Sequence, residues 1–188
     1  MTRLPLIRDD ELDAATRTLF EGIVRRGGEV PDLYRLLGHA PDLLKAWTDL
    51  AWPLRNANHA GRGLRELLIM RTAQLTGAAY EWAHHWPLAL AAGISERQLW
   101  ELDAWRTSGC FTGTERAALA LADELLGTGQ ISDQVFEAVR AEFDGASLIH
   151  LVLTVSFYVC VARFAGAFQL EIEPKYQTVP QPINGGEA

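Results

Sequence analysis

Apolar residues recur at helical spacing along almost the whole chain, and this periodicity limits the possible folds more than any other feature. In the segment 10–26, for example, Leu12, Leu19 and Ile23 fall on one stripe of a helix. No stretch shows the strict alternation, bounded by turns, that is typical of a half-buried strand. We therefore predict an all-α fold, a compact domain of about seven to nine helices.

Turn and capping residues divide the chain into these helices. Gly27 ends the first helix, Pro31 and Pro41 open the next two, and Pro53 with the polar loop after it ends the third. Later helices are predicted over 62–76, over 80–92 with a kink or break near Pro87, after capping boxes at Ser95 and Thr112, from Ser132 to about 143, and over 146–169.

The length and charge of the chain narrow its class further. A chain of 188 residues buries roughly two-thirds of its unfolded surface in one core, which we place at residues 1–171, followed by a flexible Pro- and Gly-rich tail at 172–188. The net charge is −7, from 17 basic and 24 acidic residues, and the basic residues form no run. Nucleic acid and acidic membrane surfaces are therefore not expected as partners, and a small molecule is.

Cysteine usage and the first residues indicate a reducing compartment. The start of the chain has no apolar stretch of signal-peptide length, so we expect a cytoplasmic protein with Cys110 and Cys160 as free thiols, packed like small apolar residues. The uncharged run 146–162 contains His150 and is shorter than the roughly 18 to 20 residues of a membrane span. It is interpreted as a buried core helix.

The segment AYEWAHHWP at 79–87 is the densest cluster of residues that could carry chemistry. On a helix Glu81 and His85 lie one turn apart on the same face, and His84 is the other near neighbour of Glu81. A carboxylate beside an imidazole is a proton-transfer pair, although the same spacing also fits a solvated polar stripe. Three flanking aromatic residues are expected to form a wall that partly excludes water: Tyr80, Trp82 and Trp86.

Glu66 projects from an otherwise apolar helix face. Because an isolated buried charge is too costly, this carboxylate must be paired, hydrogen-bonded or neutral. The short link 77–79 could bring Glu66 close to Glu81 and His85. The alternative is a structural ion pair with one of three arginines: Arg65, Arg71 or Arg163.

The sequence RELLIMRTAQLTGAAYEWAHHWPLALAAGIS at 65–95 resembles the carboxymuconolactone decarboxylase and AhpD-like family. The redox branch of that family has a Glu, a CxxC that begins twelve positions later, and a His four residues after the second Cys. The residues at these places here are Glu66, Ala78, Glu81 and His85. The resemblance covers 30–93 well, and extends more loosely to the ERAALALADELL segment and the last helix.

The resemblance implies an AhpD-like helical fold and a homo-oligomer, whether dimer, trimer or hexamer. Thiol peroxidase activity is not expected, because Ala78 and Glu81 stand in the two cysteine places. The resemblance instead points to an acid–base enzyme without cofactor or metal, a decarboxylase or related lyase acting on a small carboxylated or lactone metabolite. Its catalytic residues would be Glu66, Glu81 and His85, and Arg71 or Arg163 would hold a substrate carboxylate.

Two other functions remain open from the sequence. Glu81 with His84 or His85 could bind a metal ion if folding added His39, His59 or His150 as a further ligand. The chain could also be a non-catalytic binding or assembly protein that keeps the fold with an inactive site.

Overall fold

The computed structural model of the protein describes residues 2–181, which form nine α-helices and one 3₁₀ helix. No strand occurs within these residues, so the all-α prediction is confirmed. The helices are α1 (Ala14–Gly27), α2 (Asp32–Leu37), α3 (Pro41–Asn56), α4 (Arg62–Thr76), α5 (Ala79–Ala91), α6 (Glu96–Trp100), α7 (Gly113–Thr128), α8 (Asp133–Glu142), α9 (Gly145–Phe168) and the 3₁₀ helix Pro174–Tyr176.

Local hydrogen bonding explains where the boundaries differ from the prediction. Helix α1 begins at Ala14, four residues later than expected, because the Asp13 carboxylate caps it by accepting from the Thr16 amide at 2.7 Å. Helix α3 continues through Pro53 to Asn56, and α5 continues through Pro87 without a break. A proline removes only one helical hydrogen bond, and tertiary packing keeps both helices intact.

Helix α4 lies between the two hydrophobic clusters of the core. Leu67, Leu68 and Met70 belong to a cluster with α5, α7 and the first half of α9, whereas Ile69 joins a cluster of α1, α2, α3 and the second half of α9. All nine residues from Arg65 to Ala73 are buried. Polar groups on this helix must therefore find partners inside the protein.

Helix α9 is less buried than its composition predicts. It packs on α3, α4, α5, α7 and α8, but one side is exposed, with Ile149 62% and Leu153 42% accessible. Cys160, expected to be buried, is also on this exposed side. By length and composition α9 would pass as a membrane span, as the core helices of soluble proteins also do, and half of its most apolar stretch is buried.

The start of the predicted tail packs against the domain instead of extending away from it. The indole of Trp82 donates to the carbonyl of Pro180 at 2.7 Å, and Lys175 forms an ion pair with Glu29. Residues 172–181 of the predicted tail therefore contact the helical domain. Residues 182–188 lie outside the described residues.

A core truncation on α4 tests this arrangement. Leu67 is fully buried, so Leu67→Ala should lower the free energy of unfolding by about 2–5 kcal/mol in a urea titration. Leu75→Ala is the matched control, because Leu75 lies on the same helix and is 46% exposed; its effect should stay within about 0.5 kcal/mol. Equal effects of the two substitutions would contradict the placement of α4 at the centre.

Candidate active site

A cavity of about 470 Å³ lies between α2, α3, α4, α5, α9 and the C-terminal segment. Gly77 at the end of α4 has a left-handed φ of +66°, which allows the chain to reverse so that α5 packs against α4. This reversal places Glu66 of α4 and both Glu81 and His85 of α5 on the wall of one cavity. The three residues that sequence reasoning singled out as catalytic are thus neighbours in space.

Glu66 and His85 are hydrogen-bonded to each other inside the protein. Glu66 Oε2 lies 2.8 Å from His85 Nδ1, and Glu66 Oε1 lies 3.5 Å from a terminal nitrogen of Arg65. Burial acts to raise the pKa of Glu66, but the hydrogen bond from His85 and the charges of His85 and Arg65 outweigh it and leave that pKa below its ordinary value. Glu66 is therefore an ionised carboxylate at neutral pH.

The ionised Glu66 also fixes the tautomer of His85. A carboxylate can only accept, so His85 Nδ1 carries the hydrogen and donates it. Burial lowers the pKa of His85 despite the hydrogen bond to Glu66 and its charge, which raise it, and the ring is neutral near pH 7. Its Nε2 then presents a lone pair and has no hydrogen-bond partner in the described part of the chain. This is the arrangement of a general base.

The environment of Glu81 is the opposite of that of Glu66. Its side chain is 2% exposed, and neither carboxyl oxygen has a hydrogen-bond partner among residues 2–181. Burial raises the pKa of Glu81 well above its ordinary value, although the positive charge of Arg55 acts to lower it. Glu81 is therefore a neutral carboxylic acid that can donate a proton, one turn away from the base His85.

Three further residues of the cavity were missed by sequence reasoning: Tyr34 of α2, Arg55 of α3 and Tyr158 of α9. The Tyr158 ring meets His85 edge-on with 5.0 Å between centroids, and burial raises the pKa of Tyr158 to about 12. The hydroxyls of both tyrosines and Nε of Arg55 are buried without a partner within residues 2–181. A tyrosine in an otherwise apolar helix was the available signal, because a buried hydroxyl needs a partner.

The C-terminal segment closes one side of the cavity through Glu173. Its carboxylate accepts from His84 Nε2 at 2.5 Å, from the Tyr80 hydroxyl at 3.0 Å and from the amide of Asp32 at 3.2 Å. The ring of Tyr176, from the same segment, lies 4.2 Å from the His84 ring. Glu173 thus joins α2, α5 and the end of the chain, and it holds His84 away from the acid–base pair.

Of the three aromatic residues expected to form a wall, only Tyr80 is among those that line this cavity. Trp82 and Trp86 pack against each other in the hydrophobic core, with 5.6 Å between their ring centroids. The reason is helical geometry: these two residues share a face of α5 that points away from the face of Glu81 and His85.

The expected carboxylate-binding roles of Arg71 and Arg163 are corrected by their positions. Arg71 makes a bidentate ion pair with Asp123, at 2.7 and 3.0 Å, and also donates to Gln74 and to the Leu102 carbonyl. Its donors are occupied and it lies outside the cavity. Arg163 is exposed on α9, beside a separate depression near the α4–α5 link.

The further histidines of the metal hypothesis lie elsewhere. His39 contacts the Pro5 carbonyl at 2.7 Å, and His150 contacts the Leu54 carbonyl at 2.8 Å and the ring of His59. Residues 2–181 contain no group of three His, Cys, Asp or Glu side chains placed to hold a metal ion. Cys110 and Cys160 are free and do not line the cavity.

The part of the chain that carries most of this site is similar to known sequences. Residues 41–124 match the model of the Carboxymuconolactone decarboxylase family. The uncharacterised protein YdfG of Bacillus subtilis (strain 168) is 27% identical over 119 residues, which are 62% of this chain and 80% of YdfG. The matched family region contains Arg55, Glu66, Glu81 and His85.

Solved structures of low sequence identity share the fold. An alkylhydroperoxidase AhpD core, a peroxidase-related protein from Ralstonia eutropha JMP134, superposes with a TM-score of 0.81 at 17% identity over 93% of this chain and 94% of its own. A cysteine-to-alanine variant of the debrominase Bmp8 in complex with 2,3,4-tribromopyrrole gives 0.77 at 21% identity, over 93% and 92%. The fold is therefore AhpD-like.

Removing the Glu173 carboxylate should weaken the packing of the C-terminal segment against α2 and α5. We expect Glu173→Ala to lower the free energy of unfolding by about 1.5–3 kcal/mol at pH 7, because a buried charge-assisted hydrogen bond is lost. Burial acts to raise the pKa of Glu173, but the hydrogen bond and charge of His84 keep that pKa below its ordinary value. The stabilisation by the ionised carboxylate is therefore fully present above the ordinary pKa and is lost as the pH falls through the lowered pKa of the folded protein.

Denaturant titrations at pH 7 and near pH 3 measure both effects, and the exposed Glu137→Ala is the control. A difference between wild type and Glu173→Ala that stays constant over this pH range would contradict the role of the ionised carboxylate.

Proposed function

We propose that the chain, whose residues 41–124 match the model of the Carboxymuconolactone decarboxylase family and whose fold is AhpD-like, is a cofactor-independent acid–base enzyme. The proposed reaction is decarboxylation, or a related lyase reaction, of a small carboxylated or lactone metabolite. The observation that carries the proposal is geometric: Glu81, buried without a hydrogen-bond partner in residues 2–181, and His85, whose Nδ1 is hydrogen-bonded to Glu66, line one cavity. Burial raises the pKa of Glu81 and lowers that of His85, which favours a neutral acid beside a neutral base.

These protonation states suit the loss of CO2 from a carbonyl compound. The bond between the substrate carbon and its carboxylate breaks, CO2 leaves, and the electron pair moves into the neighbouring carbonyl to give an enolate. Glu81 donates its proton to this enolate, and the proton is replaced from solvent by way of His85. One proton is consumed for each CO2 released, and such positioned proton transfer contributes typically about 10²- to 10⁴-fold in rate.

The positions of the cysteines support this chemistry over a thiol mechanism. Ala78 and Glu81 occupy the cysteine places of the redox branch, and the two cysteines of the chain lie outside the cavity.

The size of the cavity is compatible with a small ring as the ligand. The similar debrominase binds 2,3,4-tribromopyrrole, a small ring, and a cavity of about 470 Å³ has room for a lactone ring of comparable size.

Replacement of the proposed base tests this function. His85→Ala should lower kcat at least about a hundredfold, measured as CO2 release from a panel of small lactone acids, while the circular dichroism spectrum stays that of the wild type. His39→Ala, which changes an exposed histidine outside the cavity, should retain full activity. Full activity of His85→Ala on a confirmed substrate would overturn the proposal.

The pH dependence of kcat/KM provides a second test. His85 must be neutral and Glu81 protonated, so the profile should be bell-shaped, with an acidic limb below pH 6.5 and an alkaline limb above the ordinary pKa of a carboxyl group. Glu66→Gln removes a charge that raises the pKa of His85, so the acidic limb should move to lower pH. An acidic limb that does not move would exclude His85 as the group that titrates there.

A further inference from the structure

Several residues that line the cavity have buried polar atoms without partners in residues 2–181. They come from five different elements: the hydroxyl of Tyr34 on α2, Nε of Arg55 on α3, Nε of Arg65 on α4, both oxygens of Glu81 on α5 and the hydroxyl of Tyr158 on α9. In native proteins most buried polar groups are hydrogen-bonded, because each unsatisfied one is costly. A group of five such residues around one cavity therefore indicates a site shaped for a ligand.

Arg55 is the cation in this group that has no carboxylate in ion-pair contact in the described part of the chain. The buried arginines of α4 do have carboxylates: Arg65 lies beside Glu66, and Arg71 is paired with Asp123. Arg55 forms no ion pair within residues 2–181, and its guanidinium carbon lies 5.8 Å from the Trp52 ring centroid. Arg55 is half-buried and its Nε atom is fully buried, and such a cation without a contacting counter-ion favours an anion in the adjoining space.

The donors around Arg55 also indicate which anion fits. The neighbouring tyrosine hydroxyls and the neutral Glu81 carry no charge. The other interior cation, Arg65, already lies beside the Glu66 carboxylate, so Arg55 is the interior cation that has no carboxylate beside it in residues 2–181. A guanidinium can hold the two oxygens of a carboxylate at once. Two further arginines that line the cavity, Arg26 and Arg62, are exposed at its rim. This donor set suits an anion that brings one negative charge into the interior.

We infer that Arg55, with the hydroxyls of Tyr34 and Tyr158, forms an anion subsite that binds the carboxylate of a small monocarboxylic acid. The subsite places the rest of that ligand beside Glu81 and His85. The identity of the carboxylate as the group lost in the reaction rests on the proposed function, but binding at Arg55 requires no turnover. Arg55 thus takes the role that the sequence assigned to Arg71 or Arg163.

Ligand-dependent thermal unfolding tests the subsite directly. The probes are acetate and benzoate as monocarboxylates, benzamide as an uncharged analogue of benzoate, and inorganic phosphate as a different anion. Benzoate or acetate should raise the Tm of the wild type with increasing concentration, because binding to the native state stabilises it, and benzamide should not. If neither carboxylate raises Tm, or if phosphate alone does, the carboxylate subsite is wrong.

Two variants assign the binding to these residues. Arg55→Gln and Tyr158→Phe should each weaken benzoate or acetate binding at least about tenfold, whereas Arg140→Gln, on the exposed side of α8, should bind as the wild type does. Without ligand, Arg55→Gln should melt at the same or a higher temperature, because a half-buried charge without a contacting counter-ion is removed. Wild-type affinity in Arg55→Gln would overturn the inference, whatever its Tm.

The two proposals can fail separately. Arg55-dependent carboxylate binding without CO2 release from any lactone acid would keep the subsite and refute the decarboxylase function. CO2 release with an unchanged KM in Arg55→Gln would keep the function and refute the subsite. For a true subsite in a working enzyme, we expect KM to rise at least about tenfold in that variant.

Discussion

The hydrogen bond between Glu66 and His85 is the interaction on which the rest of the site depends. Both groups are buried, and each would be costly there alone. Their 2.8 Å contact joins α4 to α5 and fixes how the two helices face each other across the turn at Gly77. It also keeps Glu66 ionised and leaves His85 Nε2 as an acceptor, so one contact sets both the helix packing and the direction in which a proton can move.

The two buried glutamates, Glu66 and Glu81, show how the environment of a residue decides whether it is ionised. Glu66 has a donor on each side and stays charged, whereas Glu81 has none and is held neutral by burial. The same fold thus provides an anion and an acid within one cavity, without a metal ligand set in the described residues. In the redox branch that the chain resembles, a cysteine takes the place of Glu81, so the exchange of one side chain changes the chemistry that the position can perform.

Periodicity and capping were sufficient to predict most of the helices, because both are local properties. Helix α4 was placed at its observed bounds from sequence, and the capping boxes at Ser95 and Thr112 are present. The helix stop at Pro53 was wrong because tertiary packing outweighs one lost hydrogen bond.

The site was only partly predictable, because long-range packing also decides which residues line it. Glu66, Glu81 and His85 follow from spacing on two consecutive helices, but Arg55 and Tyr158 are brought in by long-range packing that no local pattern encodes. The composition of the last segment suggested mobility, whereas Glu173 makes three specific contacts that depend on the positions of α2 and α5. Arg71 looked available only because its partner Asp123 is 52 residues away in sequence.

The cavity wall is assembled from parts of the chain with different relationships to the family. The proton-transferring groups and Arg55 lie inside the stretch that matches the family model, 41–124, but Tyr34, Tyr158 and Tyr176 lie outside it. Substitutions in these outer segments can reshape the space around a ligand while the acid and the base stay unchanged. The shape of the cavity is thus set partly by stretches of sequence outside the family match, and relatives that share the match are free to differ in the ligands that fit.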